Sequence, residues 1–222
     1  SSNNSPSTKE ANINTIVLYT QPDILVCQEI GGASVQPVDQ LLLNALNING
    51  ETKYSKANYK NNSSSSLVNM VYFDNTKLAL SSQDIINKDL SGNNLVRIID
   101  VYRFYYKDPL LTKQSDTVFI TVLAAHLKAG QGGSNEIQRK EATEAVMSYV
   151  QSNVSDDNVI FCGDLNVYKS QELAYQNLIN HSNSTYNFFD PINKPGVWHN
   201  TSTFAEYHTQ STHTIGGCAS GG

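Results

Sequence analysis

The sequence predicts an α/β domain in which strands and helices alternate and paired β segments lie between them. Short apolar runs at residues 24–27 and 159–162 are bounded by turn residues, which is typical of strands buried on both faces. Between such runs, apolar residues recur at helical intervals. At 222 residues with 39% hydrophobic content, the chain can bury one sizeable core, so we predict a single domain over residues 1–222.

Four helices are predicted from periodicity and capping residues. Ser7 and Glu10 have the spacing of a capping box, and Ser134 can cap the third helix. The four helices cover about residues 7–19, 38–46, 134–149 and 170–179.

Further strands are predicted where apolar and polar residues alternate. They cover about residues 67–73, 77–82, 95–106 and 118–126. Asp74 and Asn75 predict a hairpin turn between the first two of these strands. In the last one, every second residue is apolar as far as His126, so one face of the strand ends in this histidine.

Composition and charge limit the classes of function. A formal net charge of −5 gives no long-range attraction for nucleic acid, so any phosphate binding must be local. A bound divalent cation can supply that local charge. Three cysteines without C-x-x-C spacing (Cys27, Cys162 and Cys218) indicate neither a disulfide framework nor a structural zinc site, and we expect Cys27 and Cys162 to be buried, inert thiols.

Nothing in the sequence predicts insertion into a membrane. No apolar run approaches the roughly 20 residues that a spanning helix needs, and the polar first residues lack the pattern of a signal peptide. Abundant Asn and Ser with little Lys are compositional hints of a secreted or cell-envelope protein, but the compartment stays open.

Polar residues stand at the ends of three apolar strands. Glu29 follows the first strand, His126 ends another, and Asp164 and Asn166 follow a third. Singly, each has an ordinary interpretation as a solvated loop residue, a structural histidine or a turn. Together they offer two carboxylates, an imidazole and an amide at the strand ends where ligands of α/β sheets gather, which favours a functional site.

The strings that carry these residues resemble the signatures of a known family. Residues 22–29 (PDILVCQE), 125–128 (AHLK) and 161–167 (FCGDLNV) are similar, in order and spacing, to motifs of the endonuclease/exonuclease/phosphatase superfamily. The resemblance extends from about residue 13 to the last residue. It implies the deoxyribonuclease I-like fold, a four-layer sandwich of two packed, mostly antiparallel sheets flanked by helices.

The resemblance also implies roles for the four polar residues. Glu29 would bind the divalent metal, Mg²⁺ or Mn²⁺, which prefers hard oxygen ligands. His126 would act beside the scissile phosphate as acid, base or hydrogen-bond donor. Asp164 would orient or deprotonate the attacking water, and Asn166 would hold a phosphate oxygen. Phosphoryl transfer needs this combination of alignment and charge compensation.

Four further residues resemble substrate-contacting positions of the family. Arg97 is similar to a phosphate-contacting arginine, with a solvated strand arginine as the alternative. Tyr72 is similar to a tyrosine that touches the substrate backbone, with cross-strand packing as the alternative. Thr209 and Ser211 resemble a loop whose hydroxyls contact phosphate, although His213 stands where relatives often carry Arg.

Both ends of the family pattern are missing from this chain. The first core strand with its Asn, and the last strands with further Asp residues and an Asp-His pair, have no counterpart here. We therefore expect a domain incomplete at both termini, which binds Mg²⁺ weakly and hydrolyses phosphodiesters poorly or not at all.

The resemblance implies a divalent-metal-dependent phosphodiester hydrolase, in the first place an endonuclease, which uses in-line attack of an activated water. Its partner would be a phosphodiester substrate, nucleic acid first, and the chain would be a monomer. Two alternatives stay open. One is a lipid or inositol phosphate esterase on the same scaffold, and the other is a non-catalytic binding module derived from it.

Overall fold

The structure is a computed structural model that describes residues 6–61, 66–110, 117–155 and 158–207. In chain order the helices and strands are α1 Pro6–Thr20, β1 Ile24–Gly31, α2 Gln36–Leu41 with a π-helical turn Leu42–Leu46, β2 Tyr54–Lys56, β3 Leu67–Asp74, β4 Leu78–Lys88, β5 Asn94–Tyr106, β6 Phe119–His126, α3 Gly133–Asn153, β7 Val159–Asp164 and α4 Leu173–Ile179. Two 3-10 turns follow, at Ser184–Tyr186 and Ser202–Tyr207.

The strands form two sheets. The three-stranded sheet has the order β1-β3-β2 and is antiparallel throughout. The four-stranded sheet has the order β4-β5-β6-β7, in which only the β6–β7 pair is parallel. The prediction of mostly antiparallel sheets flanked by helices is therefore confirmed.

Neighbouring residues of β5 and β6 face opposite sides of the four-stranded sheet, because side chains alternate along a strand. Tyr102, Phe104 and Val122 pack toward the three-stranded sheet, in one cluster with residues of α1 and α2. Val101 and Leu123 pack in a second cluster with residues of α3 and α4. The layers are thus helix, sheet, sheet and helix.

The predicted hairpin at Asp74 and Asn75 is wrong. Asp74 does end β3, and its Oδ1 accepts a hydrogen bond from the Thr76 N–H at 2.9 Å, so the turn itself forms. However, β3 and β4 belong to different sheets, and the turn carries the chain from one sheet to the other. Turn residues dictate a local reversal, whereas the pairing partner of the next strand depends on tertiary packing.

The structure differs from the sequence prediction at three other places. The three-residue strand β2 was not predicted. Helix α3 has Gly132 at its N-cap, with φ of 103°, and no side chain caps it, so the predicted Ser134 cap is wrong. Helix α4 begins at Leu173 rather than near residue 170. Among the helices in the described ranges, none has the length and apolar character needed to cross a bilayer.

Candidate active site

A β-bulge in β1 determines where Glu29 points. Cys27 pairs with Met70 and Ile30 with Val68, so Gln28 and Glu29 together stand opposite the single residue Asn69. Glu29 has φ of 59°, in the left-handed region that non-glycine residues rarely adopt. The strand runs on to Gly31, so Glu29 lies within β1 and not after its end as predicted. The bulge leaves its carboxylate 63% exposed.

The parallel pairing of β6 and β7 places His126 directly beside Asp164, at the last position of both strands. The preceding pair, Ala125 and Gly163, lies unusually close. A Cβ on Gly163 would lie 2.0 Å from the Ala125 carbonyl oxygen, and Gly163 has φ of 132°. Glycine before Asp164 is thus required by the close approach of the two backbones.

The imidazole of His126 lies near both acidic side chains. Its Nε2 is 3.5 Å from Oδ2 of Asp164 and 3.9 Å from Oε1 of Glu29. His126 itself is 4% exposed, whereas the Asp164 carboxylate is 51% exposed. The structure therefore brings together three residues from separate stretches of the chain, as the sequence predicted.

Burial lowers the pKa of His126, and the positive charge of Arg97 lowers it further. Asp164 and Glu29 act in the opposite direction, because their negative charges favour the imidazolium. Since the net effect is to lower the pKa from 6.5, the neutral imidazole is the major form of His126 at pH 7.

Arg97 and Asn166 meet at one backbone oxygen next to His126. The Arg97 Nη1 donates to the carbonyl oxygen of Leu127 at 2.7 Å, and the Asn166 Nδ2 donates to the same oxygen at 3.2 Å. Asn166 has φ of 50°, and its backbone N–H donates to Oδ1 of Asp164 at 3.2 Å. The loop conformation thus joins Asn166 to Asp164 and to the guanidinium of Arg97.

Asn69 and Asp100 form a buried polar contact between the two sheets that sequence reasoning missed. The Asn69 Nδ2 donates to Oδ2 of Asp100 at 3.2 Å and also approaches the carbonyl oxygens of Ile98 and Ala124 at 3.4 Å. Asp100 is fully buried, and burial raises its pKa to about 7. Its Oδ1 has no hydrogen-bond partner. The sequence signal for this contact is one polar residue, Asn69 or Asp100, within an otherwise apolar stretch of each strand.

A small pocket opens beside His126 and extends to Asn69. Its lining consists of Asn61, Leu67, Val68, Asn69, Arg97, Ile98 and His126. Arg97 is the cationic side chain of this lining, so it is placed to meet an anionic group that approaches His126.

The structure does not support Tyr72 as a substrate-binding residue. Its side chain is completely buried, and its hydroxyl donates to the Val38 carbonyl oxygen at 2.9 Å. The Tyr72 side chain therefore connects β3 to α2 across the core, and its role is in packing. Thr209 and Ser211 lie outside the described residues.

Glu29 is the candidate metal ligand. In the described part of the chain, no three His, Cys, Asp or Glu side chains are grouped so as to hold a metal ion by themselves. An exposed carboxylate such as that of Glu29 still fits Mg²⁺, which binds through one or two carboxylates and keeps several waters. Cys27 is a poor candidate ligand, because burial raises its thiol pKa to about 12.

No family model matches this chain, and no curated protein matches its sequence. Solved structures match its fold. The catalytic domain of human nocturnin with a bound sulfate anion has a TM-score of 0.55 and 16% identity, with 79% of this chain and 62% of that chain covered. The mannosyl-6-phosphatase Bt3783 of Bacteroides thetaiotaomicron has a TM-score of 0.53 and 12% identity, with 78% and 61% covered.

An endonuclease/exonuclease/phosphatase family protein from the same bacterium has a TM-score of 0.53 and 14% identity, with 78% of this chain and 59% of that chain covered. The chain therefore has the fold of these structures, the deoxyribonuclease I-like fold. This chain spans about three fifths of the length of these three structures.

Proposed function

We propose that the chain is a phosphoester hydrolase that uses a divalent cation, Mg²⁺ or Mn²⁺, and the in-line attack of a water on phosphorus. The observation that carries the proposal is the position of the buried His126 imidazole, within 4 Å of the exposed carboxylates of Glu29 and Asp164. A binding module without chemistry has no evident physical need for this cluster at the strand ends.

Glu29 would hold the cation, because its carboxylate projects from the bulge into solvent, where a hydrated ion can approach. A cation bound there would neutralise charge that develops on the phosphoryl oxygens. If the cation requires the Glu29 carboxylate to be held rigidly, this would also explain why a glutamate occupies a left-handed backbone position in a strand.

Asp164 is the group that would orient the attacking water and accept its proton. The carboxylate is half exposed, so a water can reach it. The hydrogen bond that it accepts from the Asn166 N–H fixes the orientation of the carboxylate. General base catalysis by a positioned carboxylate contributes typically about 10²- to 10⁴-fold in rate.

His126, Arg97 and Asn166 would bind the phosphate. A neutral imidazole at pH 7 can donate one N–H to a non-bridging oxygen without repelling the nearby cation. Arg97 supplies the positive charge, and Asn166 supplies an amide already fixed against Leu127. Fixed donors of this kind stabilise the charge that builds up in the transition state.

A phosphodiester of nucleic acid is the first substrate to test, because the three strand-end strings resemble those of the nuclease-containing superfamily. A small phosphomonoester such as a sugar phosphate is the second. The net charge of −5 favours it, since a small substrate needs no long-range steering, and one similar fold is a mannosyl-6-phosphatase.

The test compares three substrates with the purified 222-residue chain: plasmid DNA, bis(p-nitrophenyl) phosphate and mannose 6-phosphate. With Mn²⁺ or Mg²⁺ we expect hydrolysis of at least one, abolished by EDTA and by His126→Ala. His181→Ala, which changes a half-buried histidine outside the site, is the matched control and should leave the rate unchanged.

The salt dependence separates the two substrate classes. Cleavage of DNA should slow steeply as the salt concentration rises, whereas hydrolysis of a sugar phosphate should change little. Hydrolysis that survives both EDTA and His126→Ala, or the absence of hydrolysis of all three substrates, would contradict the proposal.

A further inference from the structure

We infer that the buried ion pair Arg139–Glu172 is a positioning device that holds together the two loops that follow β6 and β7. These are the β6 loop, residues 127–132, and the β7 loop, residues 165–172. The β6 loop follows His126, and the β7 loop begins directly after Asp164 and contains Asn166. The inference rests on the proposed function insofar as those residues are catalytic.

The ion pair lies deep between α3 and the β7 loop. The side chains of Arg139 and Glu172 are 0% and 1% exposed, and the Arg139 Nη2 lies 2.8 Å from Oε2 of Glu172. The Arg139 Nε donates to the same oxygen, also at 2.8 Å. A buried ion pair of this kind gives little net stability, because desolvation of the two charges opposes their attraction. The hydrogen bonds from the pair to the loop backbones are therefore more important than the attraction between the two charges.

Arg139 also binds the β6 loop through its third nitrogen. Its Nη1 donates to the carbonyl oxygen of Lys128 at 2.8 Å and to that of Gly130 at 2.9 Å. Lys128 is two residues beyond His126. The guanidinium thus fixes the backbone immediately after the catalytic histidine, where no strand pairing continues.

Glu172 binds the other loop through its second oxygen. Its Oε1 accepts the backbone N–H of Tyr168 at 2.9 Å, and Tyr168 is two residues beyond Asn166. The Tyr168 hydroxyl in turn accepts the backbone N–H of Gly130 at 3.0 Å, and its ring lies 5.2 Å from the guanidinium of Arg139. The contacts of Arg139, Glu172 and Tyr168 thus form one continuous network that connects the two loops.

This network explains why a charged pair occupies the position of Arg139 and Glu172. A pair of apolar side chains could fill the same space and avoid the desolvation of two charges. It could not satisfy the Lys128 and Gly130 carbonyls and the Tyr168 N–H, which lie in loops without regular backbone partners. The pair thus holds the β7 loop, which carries Asn166, against the β6 loop beside the site, where a displacement of about 1 Å can cost about 100-fold in rate.

The experiment uses the double variant Arg139→Met/Glu172→Met, which removes both charges together and keeps similar volume. We expect kcat for the hydrolysed substrate to fall about 100-fold, with KM changed less than about threefold. The backbone amides of Gly130 and Tyr168 should lose protection in hydrogen exchange. Amides in the middle of β5 should keep theirs, which shows that the fold persists.

The matched control is the partly exposed pair Lys140–Glu144 on the same helix, with side chains 34% and 32% exposed. Lys140→Met/Glu144→Met should leave kcat and exchange unchanged. The second test variant is Arg139→Lys, which keeps the charge but cannot reach three acceptors at once. For Arg139→Lys we expect a loss of about tenfold in kcat and faster hydrogen exchange at the Gly130 amide. This variant tests the inference if the double variant does not fold.

Two results would overturn the inference. One is an unchanged kcat in a double variant whose Gly130 and Tyr168 amides have lost protection, since the loops would then be free without effect. The other is full protection of both amides in that variant. A wild-type chain that hydrolyses no phosphoester overturns the proposed function instead, and loss of protection then still confirms that Arg139 and Glu172 hold the loops.

Discussion

His126 and Asp164 are direct neighbours across the parallel pairing of β6 and β7, with 3.5 Å between Nε2 and Oδ2. Because each is the last residue of its strand, the backbone ladder fixes the spacing of their Cα atoms. The site therefore combines a rigid pair with Glu29, which comes from the other sheet.

Replacing Asp164 should slow hydrolysis without unfolding the protein. Asp164→Asn keeps the shape and removes the charge from a side chain that is half exposed, so we expect a loss of about 10³-fold in kcat. Loss of the nearby negative charge should also lower the pKa of His126 further, which a proton NMR titration can measure. Asp39→Asn, at an exposed carboxylate paired with Lys56, is the control. A kcat within threefold of wild type would exclude Asp164 as the base.

Glu29→Gly should make the protein more stable and less active. Glycine adopts a φ of 59° without strain, so the free energy of unfolding should rise by about 0.5–1 kcal/mol despite the greater freedom of the unfolded chain. Removal of the carboxylate should weaken Mn²⁺ binding at least about tenfold, measured by calorimetry. Glu29→Gln is the companion variant, which should lose Mn²⁺ affinity without the gain in stability. Unchanged Mn²⁺ affinity in both variants would exclude Glu29 as a metal ligand.

Gly163→Ala should destabilise the fold and disrupt the site together. The added Cβ would lie 2.0 Å from a backbone oxygen of β6, and a φ of 132° is strained for alanine, so we expect a loss of about 3 kcal/mol or more. Gly50→Ala is the matched control, because φ is 86° there but nothing lies within 4 Å. It should cost only about 1 kcal/mol in the free energy of unfolding, measured by urea denaturation. Equal losses in the two variants would show that the β6–β7 approach is not tight.

The approach of His126 to Asp164 follows from local signals, because each residue ends a strand and the ends of neighbouring strands meet at one edge of a sheet. The approach of Glu29 does not, because Glu29 lies inside β1 and reaches the site through the bulge. The layered fold followed from the short apolar runs that predict buried strands. The strand-end pair and the layers depend on residues close in sequence, where periodicity and turn chemistry carry most of the information.

Features that depend on pairing between distant segments were not predictable in the same way. The bulge at Glu29 exists because Asn69, 40 positions later, stands opposite two residues of β1. The Asn69–Asp100 contact joins two sheets. The family resemblance predicts that Tyr72 contacts substrate, with packing as the alternative, and the direction of its side chain depends on how α2 covers the sheet.

Asp100 should make the protein less stable as the pH rises from about 4 to about 7. Burial raises its pKa from 3.8 to about 7, so the folded state keeps a proton that the unfolded chain has already released. The unfolded state binds fewer protons between these two pKa values, so stability falls with rising pH in this window and becomes constant above it. Below about pH 4 both states are protonated, and the group has no effect.

Asp100→Asn should remove this pH dependence, because the amide is neutral at every pH and fits the same space against Asn69. We expect wild type and variant to have similar free energies of unfolding at pH 4. At pH 8 the variant should be more stable by at most about 4 kcal/mol, at about 1.4 kcal/mol for each pH unit between the two pKa values. Urea denaturation at both pH values gives the comparison, with Asp39→Asn as the exposed control. A variant that is less stable than wild type at pH 8 would show that the ionised Asp100 is compensated in the folded protein, for example by a cation bound at its unpaired Oδ1.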